Sequence, residues 1–140
     1  MLHMTKLCVG ISDIADLRAH QQARLARGEV LRHRTRSFPR RAAEVIDGGS
    51  LFWVIAGATV VRQRVVDIIE DQWEDGSKCA GLIFDPALVA VAARTTRPFQ
   101  GWRYLDPAAA PLDLLAGHAA EGTDALPPAL RRTLENLGLL

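Results

Sequence analysis

A change in residue chemistry at Ser50 constrains the fold of this chain more than any other feature of its sequence. From there on, β-branched and aromatic residues dominate. Leu51–Ile55 is one dense run of strand-forming residues and Thr59–Ile69 is a second, with Gly57 between them. Runs of this kind, punctuated by glycine, predict neighbouring β-strands. The turn signal Asp75-Gly76 then predicts a hairpin.

The rest of the chain adds helices and further strands to this β-rich centre. We expect a first strand at residues 6–11, and a helix over 13–27 that Ser12 caps and Gly28 ends. A short helix over Arg40–Asp47 follows and stops at a glycine pair. The remaining predicted elements are a returning strand over Lys78–Phe84, a short helix over Ala87–Ala92 capped by Asp85, a last strand over 98–105, and a terminal helix over Pro128–Leu137.

This order predicts an α+β domain, either a small, mostly antiparallel β-barrel or a curled sheet. Two helices come from the N-terminal half and one from the C-terminus. A doubly wound parallel fold is disfavoured because no long helices separate the strands after residue 50. We expect residues 1–115 to form the core domain and residues 116–140 to wrap its surface as a tail.

Length and composition exclude several classes of protein. A chain of 140 residues, 49% of them hydrophobic, is an ordinary single folded domain. The longest apolar run, Leu51–Val61, is too short to cross a bilayer, and the N-terminus has no signal-peptide pattern. Cys8 and Cys79 suit neither a disulfide framework nor a paired metal site. We therefore expect a cytoplasmic, reduced protein with no membrane partner.

The net charge of +1 conceals an uneven distribution. Residues 1–64 contain eleven Lys or Arg and five Asp or Glu, a balance of +6, whereas residues 65–140 contain six and eleven, a balance of −5. Arginine outnumbers lysine fifteen to two. A GC-rich genome would explain that bias. So would bidentate binding of phosphate or carboxylate, which guanidinium does better than ammonium.

The positive charge is densest in residues 32–41. A solvated face would explain such a run. So would contact with an anionic backbone, because arginines beside the free amides at a helix start suit phosphate. The candidate phosphate ligands are Arg32, Arg34, Arg36 and Arg40.

A second candidate feature is the segment 97-RPFQGWRYLDP-107. On a strand, Gln100, Trp102 and Tyr104 would share one face and form a platform on which a nucleobase stacks and hydrogen bonds. The alternative is an aromatic seal over the end of the barrel, with Trp102 in the core.

Gln63 is an unexpected polar group on an apolar strand face. Strand alternation places it between Val61 and Val65, and places Arg64 on the opposite face. We expect Gln63 to contact a ligand in the barrel mouth, with Arg64 and Arg103 at the rim.

No phosphate loop, dinucleotide fingerprint, nucleophile elbow or zinc cluster is present, so neither a cofactor nor a metal is expected. The triplet Gly48-Gly49-Ser50 lies between a helix and a strand, the reverse of the order that a phosphate loop needs.

Six stretches carry a resemblance to a known family: KLCVG at 6–10, HRTRSFPRRAAEVIDGGSLFWVIAG at 33–57, RQ at 62–63, FDP at 84–86, RPFQGWRYL at 97–105 and APLDL at 110–114. Through them, most of residues 1–115 resembles an uncharacterised alphaproteobacterial family, domain of unknown function 1489. That family has no established activity.

The order of elements is also similar to the PUA-like superfamily, which includes the ASCH, EVE and YTH domains. This similarity implies a small β-barrel with helices packed around it and binding of RNA or modified bases. Ser50 stands where those domains commonly have aspartate. A few ASCH proteins are amidohydrolases that use a lysine, and Lys6 and Lys78 are not placed for that role.

The leading hypothesis is a non-catalytic module that binds RNA, a nucleotide or a modified base. Two alternatives stay open. One is a hydrolase-type enzyme with its pocket at the same barrel mouth and Glu44, Asp67 or His33 as the acid–base group. The other is an interaction protein that forms a homodimer through its oppositely charged halves.

Overall fold

A computed structural model describes residues 1–114 of the chain as a mixed α+β fold. The predicted tail, including its terminal helix, lies outside the described residues. The elements are β1 (His3–Leu7), α1 (Ile14–Ala26), β2 (Arg32–Thr35), α2 (Ala42–Ile46), β3 (Ser50–Ile55), β4 (Ala58–Gln72), β5 (Lys78–Thr95), β6 (Trp102–Leu105) and a 3₁₀ turn (Pro107–Ala109).

The strands of this part of the chain form one six-stranded sheet in the order β2-β5-β4-β3-β1-β6. β1 pairs with β3 in parallel, and every other neighbouring pair is antiparallel. The prediction of a mostly antiparallel α+β fold is confirmed. The closed barrel is not found, because β2 and β6 remain the two edges of the sheet.

The sheet is strongly curled. β2 and β3 are three places apart in the sheet, which would separate them by about 14 Å if it were flat. The rings of His33 on β2 and Trp53 on β3 nevertheless meet edge to face, with 5.4 Å between their centroids. The curl gives the sheet a concave face, which carries the core, and a convex face.

Helix α1 packs on the concave face. Asp13 caps it by accepting a hydrogen bond from the backbone N–H of Asp16 at 2.7 Å, one residue later than the predicted Ser12 cap. Its buried residues are Ile14, Leu17 and Gln21, whereas Leu25 is exposed. The strand residues packed in the same core include Met4, Leu51, Trp53, Ile55, Val61, Val65 and Leu82.

The predicted helix over Ala87–Ala92 is wrong, because β5 continues through this segment. Gln63 on β4 pairs with Leu88 and Val65 pairs with Phe84, so β5 has extra residues between these pairs and bulges. Pro86 falls inside the bulge, where no ladder hydrogen bond is needed from its nitrogen. Asp85 accepts a hydrogen bond from Ala87 N within the bulge, and this is the local signal that resembles a helix cap.

The glycine pair ends α2 as predicted. A side chain at Gly49 would place its Cβ 2.0 Å from the carbonyl oxygen of Leu2 and 2.4 Å from that of Val45. The close approach lets the end of α2 lie directly against the start of β1.

Residues 107–113 cross the convex face. Asp113 accepts two hydrogen bonds from Arg62, both at 2.7 Å, and Arg62 also donates to the hydroxyl of Ser50 at 3.0 Å. The backbone of Leu112 and Leu114 pairs with the second half of β5. No helix within residues 1–114 combines the length and the apolarity needed to cross a membrane.

Candidate functional site

The candidate site is a hollow at the place where one edge of the sheet is uncovered. β6 pairs with β1 only from Lys6, opposite Trp102, back to His3, opposite Leu105. Beyond Lys6 the edge of β1 is not covered by β6, and a cavity of about 300 Å³ opens there. Residues of β1, α1 and β2 form its walls, and Trp53 and Phe84 contribute its aromatic surface.

Two tryptophans flank a lysine beside this hollow. Lys6 is the register partner of Trp53 on one side and of Trp102 on the other. Residues opposite each other in neighbouring strands point to the same face, so the three side chains form a row on the concave face. The backbones of the two tryptophans are about 10 Å apart, two strand spacings. The row places Lys6 in register between two tryptophans.

His33 projects into the hollow from β2. Its Nε2 atom is buried and has no hydrogen-bond partner in the described part of the chain. Burial, with a smaller contribution from the positive charges of Lys6 and Arg24, lowers the pKa of His33 to about 4. The imidazole is therefore neutral at physiological pH, and it is held by its edge-to-face contact with Trp53.

The hollow carries positive charge. Lys6, Arg24 and Arg32 are among its lining residues, and no Asp or Glu of the described chain is. Arg24 also donates to the carbonyl of Arg32 at 3.0 Å, which fixes α1 against β2. Cys8 lines the hollow as a neutral thiol, because burial, as the largest cause, raises its pKa to about 11.

Residues 36–41, which we call the strap, connect the two edges of the sheet. The indole N–H of Trp102 donates to the carbonyl of Ser37 at 3.3 Å, and the backbone N–H of Arg41 donates to the hydroxyl of Tyr104 at 3.0 Å. Trp102 is thus neither a buried core residue nor a free platform. It is half-buried, and its N–H is occupied.

The predicted arginine cluster divides into two groups. Arg32 and Arg34 are held by Asp71, whose Oδ2 lies 3.1 Å from one guanidinium and 3.4 Å from the other, and Arg34 also pairs with Glu74 at 3.4 Å. A side chain at Gly81 would contact Asp71 Oδ2 at 3.0 Å, so the glycine makes room for this pairing.

Arg36 and Arg40 form the other group. Both lie in the strap and are exposed, and no acidic partner is found for either within residues 1–114. The contact between Ser37 and Trp102 attaches the strap to β6, whereas the side chain of Arg36 lines a separate groove with Asp71 and Lys78. The structure therefore brings the backbone of the strap to Trp102.

Gln63 does not lie in a barrel mouth. It is fully buried, and its amide makes a reciprocal pair with Gln21 of α1 at 2.9 and 2.8 Å. Its Nε2 also donates to the carbonyl of Asp85 in the β5 bulge at 2.9 Å, and its Oε1 accepts from Trp53 Nε1 at 3.3 Å. With all these groups satisfied inside the protein, the expected contact between Gln63 and a ligand is corrected to a core contact.

The three remaining predicted residues lie outside the hollow. Arg64 pairs in register with Ser50 and is exposed on the convex face. Arg103 is the partner of Thr5, also on the convex side, and its guanidinium lies over the ring of Phe99 at 4.7 Å. Gln100 is exposed and precedes β6, so it does not share a strand face with Trp102. The expected rim position is wrong for both arginines.

A larger and shallower groove, of about 580 Å³, lies at the other end of β2. Arg36, Phe38 and Lys78 line it together with Glu70 and Asp71. Because its charges have both signs, it favours an anionic ligand less than the hollow does.

The proposed acid–base groups are not brought together. Glu44 is exposed and pairs with Arg41 at 2.5 Å, which lowers the pKa of its carboxyl group. Asp67 is exposed and accepts a hydrogen bond from the backbone of the next residue. Residues 1–114 contain no cluster of His, Cys, Asp or Glu suited to a metal ion.

Lys6, Arg24 and Trp53 are the site residues that the sequence reasoning missed. One feature of the sequence did indicate Lys6. Leu2 and Met4 are buried on the concave face, and the strand period of two places Lys6 next in that series. A lysine at a core-facing position indicates an opening or a bound anion.

A family model described as "Protein of unknown function (DUF1489)" matches residues 4–140, and the chain belongs to that family. The match continues to the last residue, beyond residue 115, where the resemblance was expected to end. No curated protein matches the chain, and neither does any solved structure.

Proposed function

We propose that this DUF1489 protein binds RNA or a nucleotide, with one base in the hollow and the phosphate backbone along the strap. The observation that carries the proposal is the row formed by Trp53, Lys6 and Trp102 beside a cavity of about 300 Å³. Aromatic surfaces that stack a base, next to cations that hold its phosphate, are the usual elements of single-strand recognition.

The size of the hollow supports one base rather than a larger ligand. Ligand pockets usually begin at about 300 Å³, so a cavity of this volume accommodates a small flat molecule. Its wall is largely apolar, with Leu17, Leu31 and Phe84 beside Trp53. A base that enters it exchanges water for aromatic and aliphatic contacts.

The charge of the hollow supports an anionic ligand. Lys6 and Arg24 meet no carboxylate among the lining residues, and Arg36 and Arg40 continue the positive charge along the strap. A chain of phosphates leaving the hollow would pass these two arginines. This course uses the half of the predicted arginine cluster for which residues 1–114 supply no acidic partner.

The sheet is curled and unclosed at one edge, and α1 packs over that edge. This arrangement also agrees with a PUA-like architecture. We propose that relationship on the order of the elements and on the position of the opening. In this arrangement the ligand would enter between β1 and β2, where the strands leave the sheet unclosed.

The test uses the only two lysines of the chain as a matched pair. Lys6→Gln removes one charge from the hollow, and Lys78→Gln removes one charge from the exposed start of β5. Binding of labelled single-stranded RNA of about ten nucleotides is measured by anisotropy at about 50 and about 200 mM salt. We expect Lys6→Gln to weaken binding about fivefold at low salt and to reduce the salt slope by about one, and Lys78→Gln to change neither.

The strap is tested with a second matched pair, Arg36→Gln and Arg64→Gln. Both side chains are exposed, but only Arg36 lies in the strap, along which we propose that the phosphates run. We expect only Arg36→Gln to weaken binding. Absence of binding to RNA and to nucleotides at low salt would overturn the proposed function, and so would equal effects of the two lysine substitutions.

A further inference from the structure

One buried polar atom of the hollow lacks a hydrogen-bond partner within the described residues. In residues 1–114, three buried side-chain atoms have no hydrogen bond: His33 Nε2, Arg34 Nε and Asp71 Oδ2. The last two face each other at 3.4 Å in an ion pair. His33 Nε2 alone has neither a hydrogen bond nor a charged partner.

The nearby polar side chains do not serve this atom. Gln21, which also lines the hollow, has its amide paired with Gln63, and the N–H of Trp53 is directed to Gln63 as well. Burying a polar group without a partner is costly, so native proteins seldom do it unless the group has a function. His33 is therefore placed for a partner that residues 1–114 do not supply.

We infer that His33 is the specificity-determining residue of the hollow, and that its Nε2 hydrogen bonds the edge of the bound base. The inference rests on the proposed function and names the contact that selects among bases. A neutral imidazole nitrogen suits a ring nitrogen, a carbonyl or an amino group of a heterocycle. Phosphate is better matched by the permanent charges of Lys6 and Arg24, on other walls of the same hollow.

Orientation supports the same assignment. The imidazole stands at 88° to the indole of Trp53, and this contact between a ring edge and a ring face holds its direction. A contact of this geometry needs only the ring, so a phenyl ring preserves it. The nitrogen and the packing of residue 33 can therefore be separated by substitution.

The experiment compares the wild-type protein with His33→Phe and His33→Gln, using AMP, GMP, CMP, UMP and the single-stranded RNA as probes. We expect the wild-type protein to prefer one nucleotide. His33→Phe should weaken that preferred complex about 10- to 100-fold and reduce the differences among the four, because a base edge is then left unpaired. His33→Gln, which places an amide near Nε2, should restore part of the preference.

Three further measurements separate recognition from structure. The salt slope of RNA binding should be unchanged in His33→Phe, because Lys6 and Arg24 remain. Without ligand at neutral pH, the midpoint of thermal unfolding should be equal or higher in His33→Phe, since no internal hydrogen bond is lost. The ¹⁵N resonance of His33 Nε2 should shift when the preferred nucleotide is added.

The possible failures differ from one another. If the wild-type protein binds none of the probes, the proposed function fails and this inference fails with it. If the wild-type protein binds and His33→Phe keeps the same affinity and preference, only the assignment of His33 is overturned. A lower unfolding midpoint in His33→Phe, or a ¹⁵N resonance that ligand leaves unmoved, would make the histidine a packing residue and overturn the assignment too.

Discussion

The buried amide pair formed by Gln21 and Gln63 supports a quantitative prediction, which we test with Gln63→Met. Methionine has nearly the same length and shape but cannot replace the hydrogen bonds. The substitution leaves three groups without a partner: the amide of Gln21, the N–H of Trp53 and the carbonyl of Asp85. Each buried unsatisfied group costs about 1–3 kcal/mol, and the groups share one site, so we expect a total loss of about 3–5 kcal/mol.

Gln21→Met should cost less, about 1–3 kcal/mol, because Gln63 then keeps Asp85 O and Trp53 Nε1 as partners and loses only one neighbour. In the double variant both amides are absent, so the amide of Gln21 is no longer left without its partner. The double variant should therefore be more stable than the sum of the two single changes predicts, with a coupling free energy of about 1–2 kcal/mol.

The measurement is urea unfolding of the four proteins, with the slope of the transition used to check that the same surface is exposed in each. The order wild type, Gln21→Met, Gln63→Met is expected from most to least stable. A cost below about 1 kcal/mol for Gln63→Met, or additive effects in the double variant, would refute the view that Gln63 is the central hydrogen-bonding group of this core.

Two predictions concern pH. Burial lowers the pKa of His33 from its ordinary value of 6.5 to about 4, so the unfolded chain binds the proton more tightly than the folded protein does. The free energy of unfolding is therefore at its full value above pH 6.5, and it should fall by about 2–3 kcal/mol as the pH decreases towards 4. Urea titrations across this range should show that slope in the wild-type protein and a smaller one in His33→Phe, and equal slopes would contradict the burial of the imidazole. The pKa of Asp113 is lowered by its hydrogen bonds from Arg62, so this pair stabilises the fold above the ordinary carboxyl range and loses its effect as the pH falls through the folded pKa. Asp113→Asn should cost about 1 kcal/mol at neutral pH, a modest value because the pair is partly exposed, and should become neutral in acid; an unchanged cost at low pH would contradict the electrostatic origin.

The class of fold was predictable from the sequence because its signals are local. The β-forming runs that flank Gly57 and the turn at Asp75-Gly76 specify strands whose partners are close in the chain, and these strands pair as expected. The helix over 13–27 was also found, as α1, because its polar cap and apolar stripe lie within a few turns. Short-range patterns of this kind do not depend on the rest of the molecule.

The wrong predictions concern residues whose structure depends on contacts with residues distant in the sequence. Asp85-Pro86 has the local chemistry of a helix start, but β4 is fifteen residues long and offers pairing that continues past the bulge. Gln63 was correctly identified as unusual, yet its partner Gln21 is forty-two positions away, so no local pattern distinguishes a core amide from a ligand-binding one. The arginine cluster was likewise divided by Asp71, which only the tertiary fold brings to β2.

The position of the hollow follows from a mismatch in strand length, and Lys6 is where the mismatch becomes visible. Had β6 extended further along β1, the residues after Lys6 would have been covered and a core-facing lysine would have been buried without an anion. Burying an unpaired ammonium is far more costly than leaving the edge of one strand uncovered. An apolar side chain at the same position would permit closure of the sheet, and the fold would be the more stable for it. A lysine that lies in register between two tryptophans at an open edge is therefore the feature from which we propose an anionic ligand for the hollow.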